Sequence, residues 1–170
     1  NECPVDELAD LIHRYGEEPA SRAIAHAIVE ARPLHTTGQL AEVVATAIRR
    51  SRRARADQVH PATRTFQAIR IAVNRDLESL ERGLAWAVNV LRPGGRLAVI
   101  AFHSLEDRIV KQFFALESRD CICPPETMVC TCGHRARLER VTRKPIRPTE
   151  LEIAGNPRSR SARLRIAVRR

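Results

Sequence analysis

The chain has 170 residues, 44% of them hydrophobic and 29% charged, with 29 Lys and Arg against 20 Asp and Glu for a formal net charge of +9. That length holds one ordinary domain, or a small domain plus part of another, and its apolar content can supply a core. No apolar run reaches the length of a bilayer span and no signal peptide opens these residues, so no membrane partner is expected and the cytoplasm is the expected compartment. Lys111 and Lys144 are the only lysines. The positive charge is therefore almost all guanidinium, which grips phosphate bidentately and stacks on bases, and its excess suits a nucleic-acid partner. Genomic base composition would enrich arginine and alanine equally well.

In chain order, Val5 to Tyr15, Pro19 to Ala31 and Gly38 to Ile48 carry helical spacing, with Gly16 and Pro33 as stops and Thr36 and Thr37 as candidate caps. Leu8, Leu11, Ile12, Ile24, Ile28, Leu40, Val43, Val44 and Ile48 form the core stripe of a small helical module assigned to 1–59. Its end, Arg49-Arg50-Ser51-Arg52-Arg53-Ala54-Arg55, is a basic connection. Arg49, Arg50, Arg52, Arg53 and Arg55 are candidate RNA contacts, through which binding would depend strongly on salt as counterions are released. A solvated linker is the plainer alternative.

A second region, 60–170, begins at His60. Phe66, Ile69, Val73, Leu77, Leu80, Leu84, Ala87 and Leu91 keep one 3,4 pattern and predict a single long helix. Pro93 stops it, and Gly94-Gly95 supply the positive φ angles for a reversal. Leu97 to Phe102 is a nearly unbroken apolar run, which predicts a strand covered on both faces within a parallel α/β sheet. Ser104 is the expected cap of the next helix, Leu105 to Glu117, with Asp107 completing an approximate capping box. Ligands of open α/β sheets bind beyond the carboxyl ends of the strands, so Phe102, His103 and Ser104 are the substrate-binding candidates. For His103 the alternative is a histidine satisfied by the adjacent helix terminus.

The cysteine-rich loop 121–133 carries Cys121-x-Cys123 and Cys130-x-Cys132, two arms joined through Pro124-Pro125. Residues two apart in extended chain point the same way, so a hairpin of these arms presents four thiols to one Zn²⁺. The spacing is tighter than the usual Cys-x₂₋₄-Cys, which keeps a disulfide pair and unliganded thiols open, although a reducing cytoplasm disfavours disulfides. His134 is a substitute ligand, and Cys3 an ordinary small residue. A strand near Leu138 to Thr142 and a short helix from Glu150 to Ala154 follow. In the final strand Leu164, Ile166 and Val168 are read as core, with Arg163, Arg165 and Ala167 on the charged face. Arg158, Arg160 and Arg163 are weaker anion-binding candidates.

Three segments carry a family resemblance. Phe102-His103-Ser104-Leu105-Glu106-Asp107-Arg108-Ile109-Val110-Lys111, His60-Pro61-Ala62-Thr63-Arg64-Thr65-Phe66-Gln67-Ala68 and Asn156-Pro157-Arg158-Ser159-Arg160-Ser161-Ala162 together resemble the bacterial ribosomal RNA small subunit methyltransferase H family, in the right order and over essentially the whole chain. The resemblance implies an α/β fold, the carboxyl-terminal half of a Rossmann-like class I methyltransferase sheet (strands 5, 6 and 7, the last antiparallel) with an α-helical insertion module. It implies methyl transfer from S-adenosylmethionine to the N4 amino group of a cytidine in 16S ribosomal RNA. Gly16, Gly38, Gly83, Gly94, Gly95, Gly133 and Gly155 make no GxGxG or GxGxxG, so no cofactor-binding residue is assigned in this chain and no catalytic base is named. The chain opens at Asn1, within what looks like the family's helical insertion, and is read as the carboxyl-terminal portion of a longer enzyme, inactive without its missing amino-terminal half. The alternative is a non-catalytic basic RNA-binding or scaffold module derived from such an enzyme. Small-subunit ribosomal RNA is the expected partner, and a homodimer stays open.

Overall fold

The computed structural model describes residues 1–50, 60–127 and 129–170. These fall into two compact units, Asn1–Asp76 and Leu77–Arg170. The composition change at His60 thus lies inside the first unit.

The first unit is helical, with α1 (Val5–Gly16), α2 (Ser21–Glu30), α3 (Thr37–Arg50) and α4 (Thr63–Asn74). Leu8, Ile12, Ile24, Ile28 and Val44 form its buried centre, as their helical spacing predicts, with Ala62 from the segment before α4. Thr36 Oγ1 accepts the Gln39 N–H at 3.2 Å while Gln39 Oε1 accepts the Thr36 N–H at 3.1 Å, a reciprocal cap at the start of α3. Gly16 is buried against α4, where a Cβ would stand 2.8 Å from the Arg64 carbonyl oxygen. Its role is close helix approach; Glu17, at φ 49°, makes the left-handed turn that ends α1.

The long helix expected from Phe66 to Leu91 is two helices. Arg75 takes a left-handed conformation (φ 53°, ψ 44°), its N–H closes on the Ile71 carbonyl, and α5 (Asp76–Val90) starts directly afterwards. Hydrophobic periodicity reports which face is buried, and that pattern survives a one-residue break of the axis. Arg70 Nε donates to Asp76 Oδ2 at 3.1 Å across the break.

The second unit contains β1 (Arg96–Ala101), α6 (Ser104–Glu117), β2 (Leu138–Arg140), α7 (Glu150–Gly155), a 3₁₀ turn (Pro157–Ser161) and β3 (Arg163–Arg169). The three strands form a sheet in the order β1-β3-β2, and both pairings are antiparallel. A parallel arrangement is therefore absent among the described residues. One face is packed: Leu84 and Val88 of α5 and Val110 and Phe114 of α6 meet Leu138 and Ala167, with Leu97 and Val99 of β1 against them. On the other face Ile100 is 58% exposed. The expectation of a strand covered on both faces fails here because both helices pack on the same side. The turn into β1 uses one left-handed glycine rather than two. Gly94 has φ +78°, whereas Gly95 is needed for space, its Cβ position lying 2.9 Å from the Arg92 carbonyl oxygen.

The facing of β3 is the reverse of its apparent pattern. Arg165 and Ala167 are its buried residues, while Leu164, Ile166 and Val168 are half-buried on the opposite face. Val99 stands opposite Arg165 and Leu97 opposite Ala167 in the ladder, which puts them on the same, helix-covered face. The reason an arginine can point inward comes from α6.

Candidate functional site

The carboxyl end of β1 runs directly into α6 through Phe102 and His103. His103, extended at φ −138° and ψ 169°, is the helix cap; Ser104 is the first helical residue and not the cap. His103 Nδ1 accepts the Glu106 N–H at 3.3 Å, and Glu106 Oε2 accepts the N–H groups of His103 at 3.3 Å and Phe102 at 2.8 Å. The capping box thus sits one residue earlier than the spacing from Ser104 to Asp107 predicts, because an imidazole nitrogen serves as the acceptor and the longer glutamate spans back to it. With Nδ1 accepting, the neutral ring carries its proton on Nε2. That nitrogen is buried and faces Glu106 Oε1 at 3.2 Å. Burial pushes the Glu106 carboxyl up, but the hydrogen bonds from His103 and Phe102 outweigh it and hold the group below its ordinary range.

Asp107, freed from capping, turns to the sheet. Arg165 donates from Nε to Oδ1 at 2.6 Å and from Nη2 to Oδ2 at 3.1 Å, and Arg163 adds a bond from Nη1 to Oδ2 at 3.3 Å. The Arg165 hydrogen bonds hold the Asp107 carboxyl below the usual carboxylate range against the opposing effect of burial. This bidentate pair explains the inward arginine, since a buried guanidinium is tolerated only when its charge and N–H groups are met.

Beside this scaffold lies a cavity of about 220 Å³ lined by Phe102, Arg147, Arg160, Ser161, Ala162 and Arg163. Phe102 is 55% exposed, an aromatic face open to solvent beside guanidinium groups. Sequence offers Arg160 and Arg163 as weak candidates and gives no sign of Arg147. The latter arrives because Ile146 and Leu164 exchange backbone hydrogen bonds of 2.9 Å each way, an isolated bridge that no periodicity signals. Asn156 Oδ1 accepts the Arg158 N–H at 3.3 Å to open the 3₁₀ turn, which delivers Arg160 to the cavity. Ser159 is buried in that turn, so the Asn-Pro-Arg-Ser-Arg-Ser segment is a shaped corner of the cleft.

In the first unit, Arg49 and Arg50 end α3 and are exposed, with Arg49 Nη2 bonded to Thr46 Oγ1 at 3.0 Å. Arg52, Arg53 and Arg55 lie outside the described residues. The cysteine loop connects α6 to β2 and is fastened at its base by Arg137, which donates to both Glu117 oxygens at 2.6 and 2.8 Å. The four cysteine sulfurs lie within 4.8 Å of one another, an arrangement able to hold a metal ion. All of them are free thiols, Cys3 included. Backbone N–H groups of Ile122 and His134 hold the Cys132 thiol down at about 6. His134 directs Nε2 to the Leu116 carbonyl at 3.2 Å and is not part of the sulfur cluster.

A corner built from an aromatic residue and guanidinium groups at a strand end agrees with the family resemblance, and comparison with known proteins decides the membership. The MraW methylase family matches residues 1–170. The chain belongs to that family. It is 59% identical over 172 aligned residues to ribosomal RNA small subunit methyltransferase H of Thermomicrobium roseum, covering 99% of this chain and 52% of that protein. It is 57% identical to the protein of the same name from Symbiobacterium thermophilum, covering 99% of the chain and 54% of the relative. A Dehalococcoides mccartyi relative of the same name is 54% identical over 162 residues, covering 95% of the chain and 45% of its own length. The chain thus spans about half the length of the curated relatives it matches. Among the described residues no helix is long and apolar enough to cross a membrane.

Methyltransferases of this kind generally use S-adenosylmethionine. The described residues around β1 in this MraW-family chain do not suit that group. Its adjacent glycines precede β1, at the end of the strand opposite the cleft, and the cleft itself is lined by guanidinium groups that repel a sulfonium cation. The same groups suit a phosphate.

Proposed function

We propose that the protein carrying this chain methylates the N4 amino group of a cytidine in 16S ribosomal RNA, in the cytoplasm, and that the unit Leu77–Arg170 contributes to the RNA side of its active site. The observation that carries this reading is the cleft at the carboxyl end of β1, where Phe102 lies beside Arg147, Arg160 and Arg163. S-adenosylmethionine is assigned to the portion of the relatives that this chain does not cover, and no residue here is given a role toward it.

The exocyclic nitrogen of cytosine is a weak nucleophile, because its lone pair is delocalised into the ring. Methylation then depends on extruding the base and holding the amino group in line with the methyl donor. Phe102 is suited to stack on an extruded base, an interaction worth about 1–3 kcal/mol. Arg147 and Arg160 would clamp the flanking phosphates, and His103, whose ring is buried, would act as a positioning residue that holds the turn presenting Phe102. Glu106 fixes this turn through the cap, so Phe102 is already oriented when RNA arrives. Arg49, Arg50, Arg52, Arg53 and Arg55 would supply backbone contacts of their own.

In the full-length enzyme, Phe102→Ala should lower methyl incorporation into small-subunit RNA at saturating RNA. The Arg147→Ala, Arg160→Ala double variant should instead weaken RNA binding and reduce the slope of log affinity against log salt by about two, one for each phosphate no longer neutralised. Unchanged methylation by Phe102→Ala together with an unchanged salt slope would remove the RNA site from this cleft. Intact RNA binding with no methyl incorporation even by the wild-type full-length protein would favour the scaffold reading.

A further inference from the structure

We infer that Cys121, Cys123, Cys130 and Cys132 form a structural Zn²⁺ site, independent of the methyl-transfer reading, that organises the loop between α6 and β2. A tetrahedral ion with Zn–S bonds of about 2.3 Å has sulfur–sulfur edges of about 3.8 Å. The sulfurs stand 3.5 Å apart for Cys121 and Cys130, 3.6 Å for Cys130 and Cys132, 3.8 Å for Cys121 and Cys132, and 3.9 Å for Cys123 and Cys130. Four edges of one tetrahedron are thus present.

Apolar packing does not account for this convergence. Cys121, Cys130 and Cys132 are exposed, and so are two described hydrophobic residues of the loop, Ile122 at 42% and Val129 at 74%. Such a loop buries too little apolar surface to order itself, and a bound ion is the usual substitute for a core. The backbone is also arranged as metal-bound thiolates require. The N–H groups of Ile122 and His134 point at Cys132 Sγ at 3.4 and 3.5 Å, and that of Cys123 at Cys121 Sγ at 3.4 Å. These bonds orient the sulfurs and spread their negative charge, the service outer hydrogen bonds perform at metal centres. At its base the loop is tied by the Arg137–Glu117 pair and by the Ala136 N–H to Asp120 Oδ1 at 3.3 Å. The ion would close the far end. Four sulfur donors in a tetrahedron select zinc or an iron–sulfur centre; binding of Zn²⁺ requires only that the thiol protons pass to solvent.

The test is elemental analysis of the full-length protein, purified without a metal-affinity step. About one zinc per chain is expected, lost in Cys121→Ser, Cys130→Ser and retained in Cys3→Ser. Because the double variant could fail to fold, the wild-type protein should also be stripped with chelator and titrated with Co²⁺. The intense ligand-field and charge-transfer bands of tetrahedral thiolate cobalt should appear, saturate at about one equivalent, and disappear on adding Zn²⁺. Cobalt without those bands, iron with acid-labile sulfide in place of zinc, or zinc content unchanged in the double serine variant would each overturn the assignment.

Discussion

Asp107→Ala is the substitution whose cost the structure defines best. The Asp107 carboxylate receives two hydrogen bonds from Arg165, at 2.6 and 3.1 Å, and a third from Arg163 at 3.3 Å. The Arg165 side chain is only 7% exposed, so removing its partner leaves a buried guanidinium charge under α6 without the carboxylate that neutralises it. Breaking one partner of a buried pair costs about 3–5 kcal/mol, mostly the penalty of the stranded charge. Replacing both groups with apolar residues of similar volume, Asp107→Leu with Arg165→Met, removes that charge along with its partner and should recover most of the stability. Urea unfolding of the full-length protein, followed by a double-mutant cycle, measures both quantities. A destabilisation under about 1 kcal/mol for Asp107→Ala, the range of exposed pairs, would show that Arg165 finds water and is not held inward by charge. A double variant as unstable as the single one would refute the reasoning differently, because the pair would then be needed for shape rather than for neutralisation.

The same carboxylates set a pH dependence. Asp107, Glu117 and Glu106 are held below their ordinary values, the first two with arginine hydrogen bonds as the largest cause and the third against the pull of burial. Their stabilisation is complete above the unfolded-chain pKa of about 4 and declines as pH falls through that value toward the lower folded-state ones, so Tm should drop below about pH 4–5. The Asp107→Asn, Glu117→Gln double variant should have a lower but flatter Tm profile there; an equally steep profile would assign the acid sensitivity to other groups. For His103, the cap and the positioning role of the imidazole are separable. His103→Asn keeps a capping oxygen and should fold normally while methylation falls, whereas His103→Ala should additionally lose about 1 kcal/mol of stability. Normal methylation by the asparagine variant would make the residue a cap alone.

The chain's local order is largely legible one residue at a time. The helical stripes of α1 to α3, the stop at Pro93, the strand at Leu97 and the convergence of Cys-x-Cys arms each follow from spacing of three to four residues or of two, and the long motifs mark the family. What escapes are the consequences of contacts between distant segments. The left-handed Arg75 interrupts a pattern whose phase is unchanged, so periodicity cannot see the break. Apolar residues suggest one inward face for β3, yet Asp107 on α6 makes Arg165 the residue that is buried, a choice only a partner across the sheet could make. His103 rather than Ser104 caps α6 because Glu106 reaches back to two N–H groups at once. Arg147 joins Phe102 through a single bridge between Ile146 and Leu164. Sequence determined which segments are helical, extended or metal-like, because those properties arise within a turn or two of chain. Tertiary structure decided which charges are buried and which side chains share the cleft, because neutralisation and proximity belong to pairs of residues far apart in the chain.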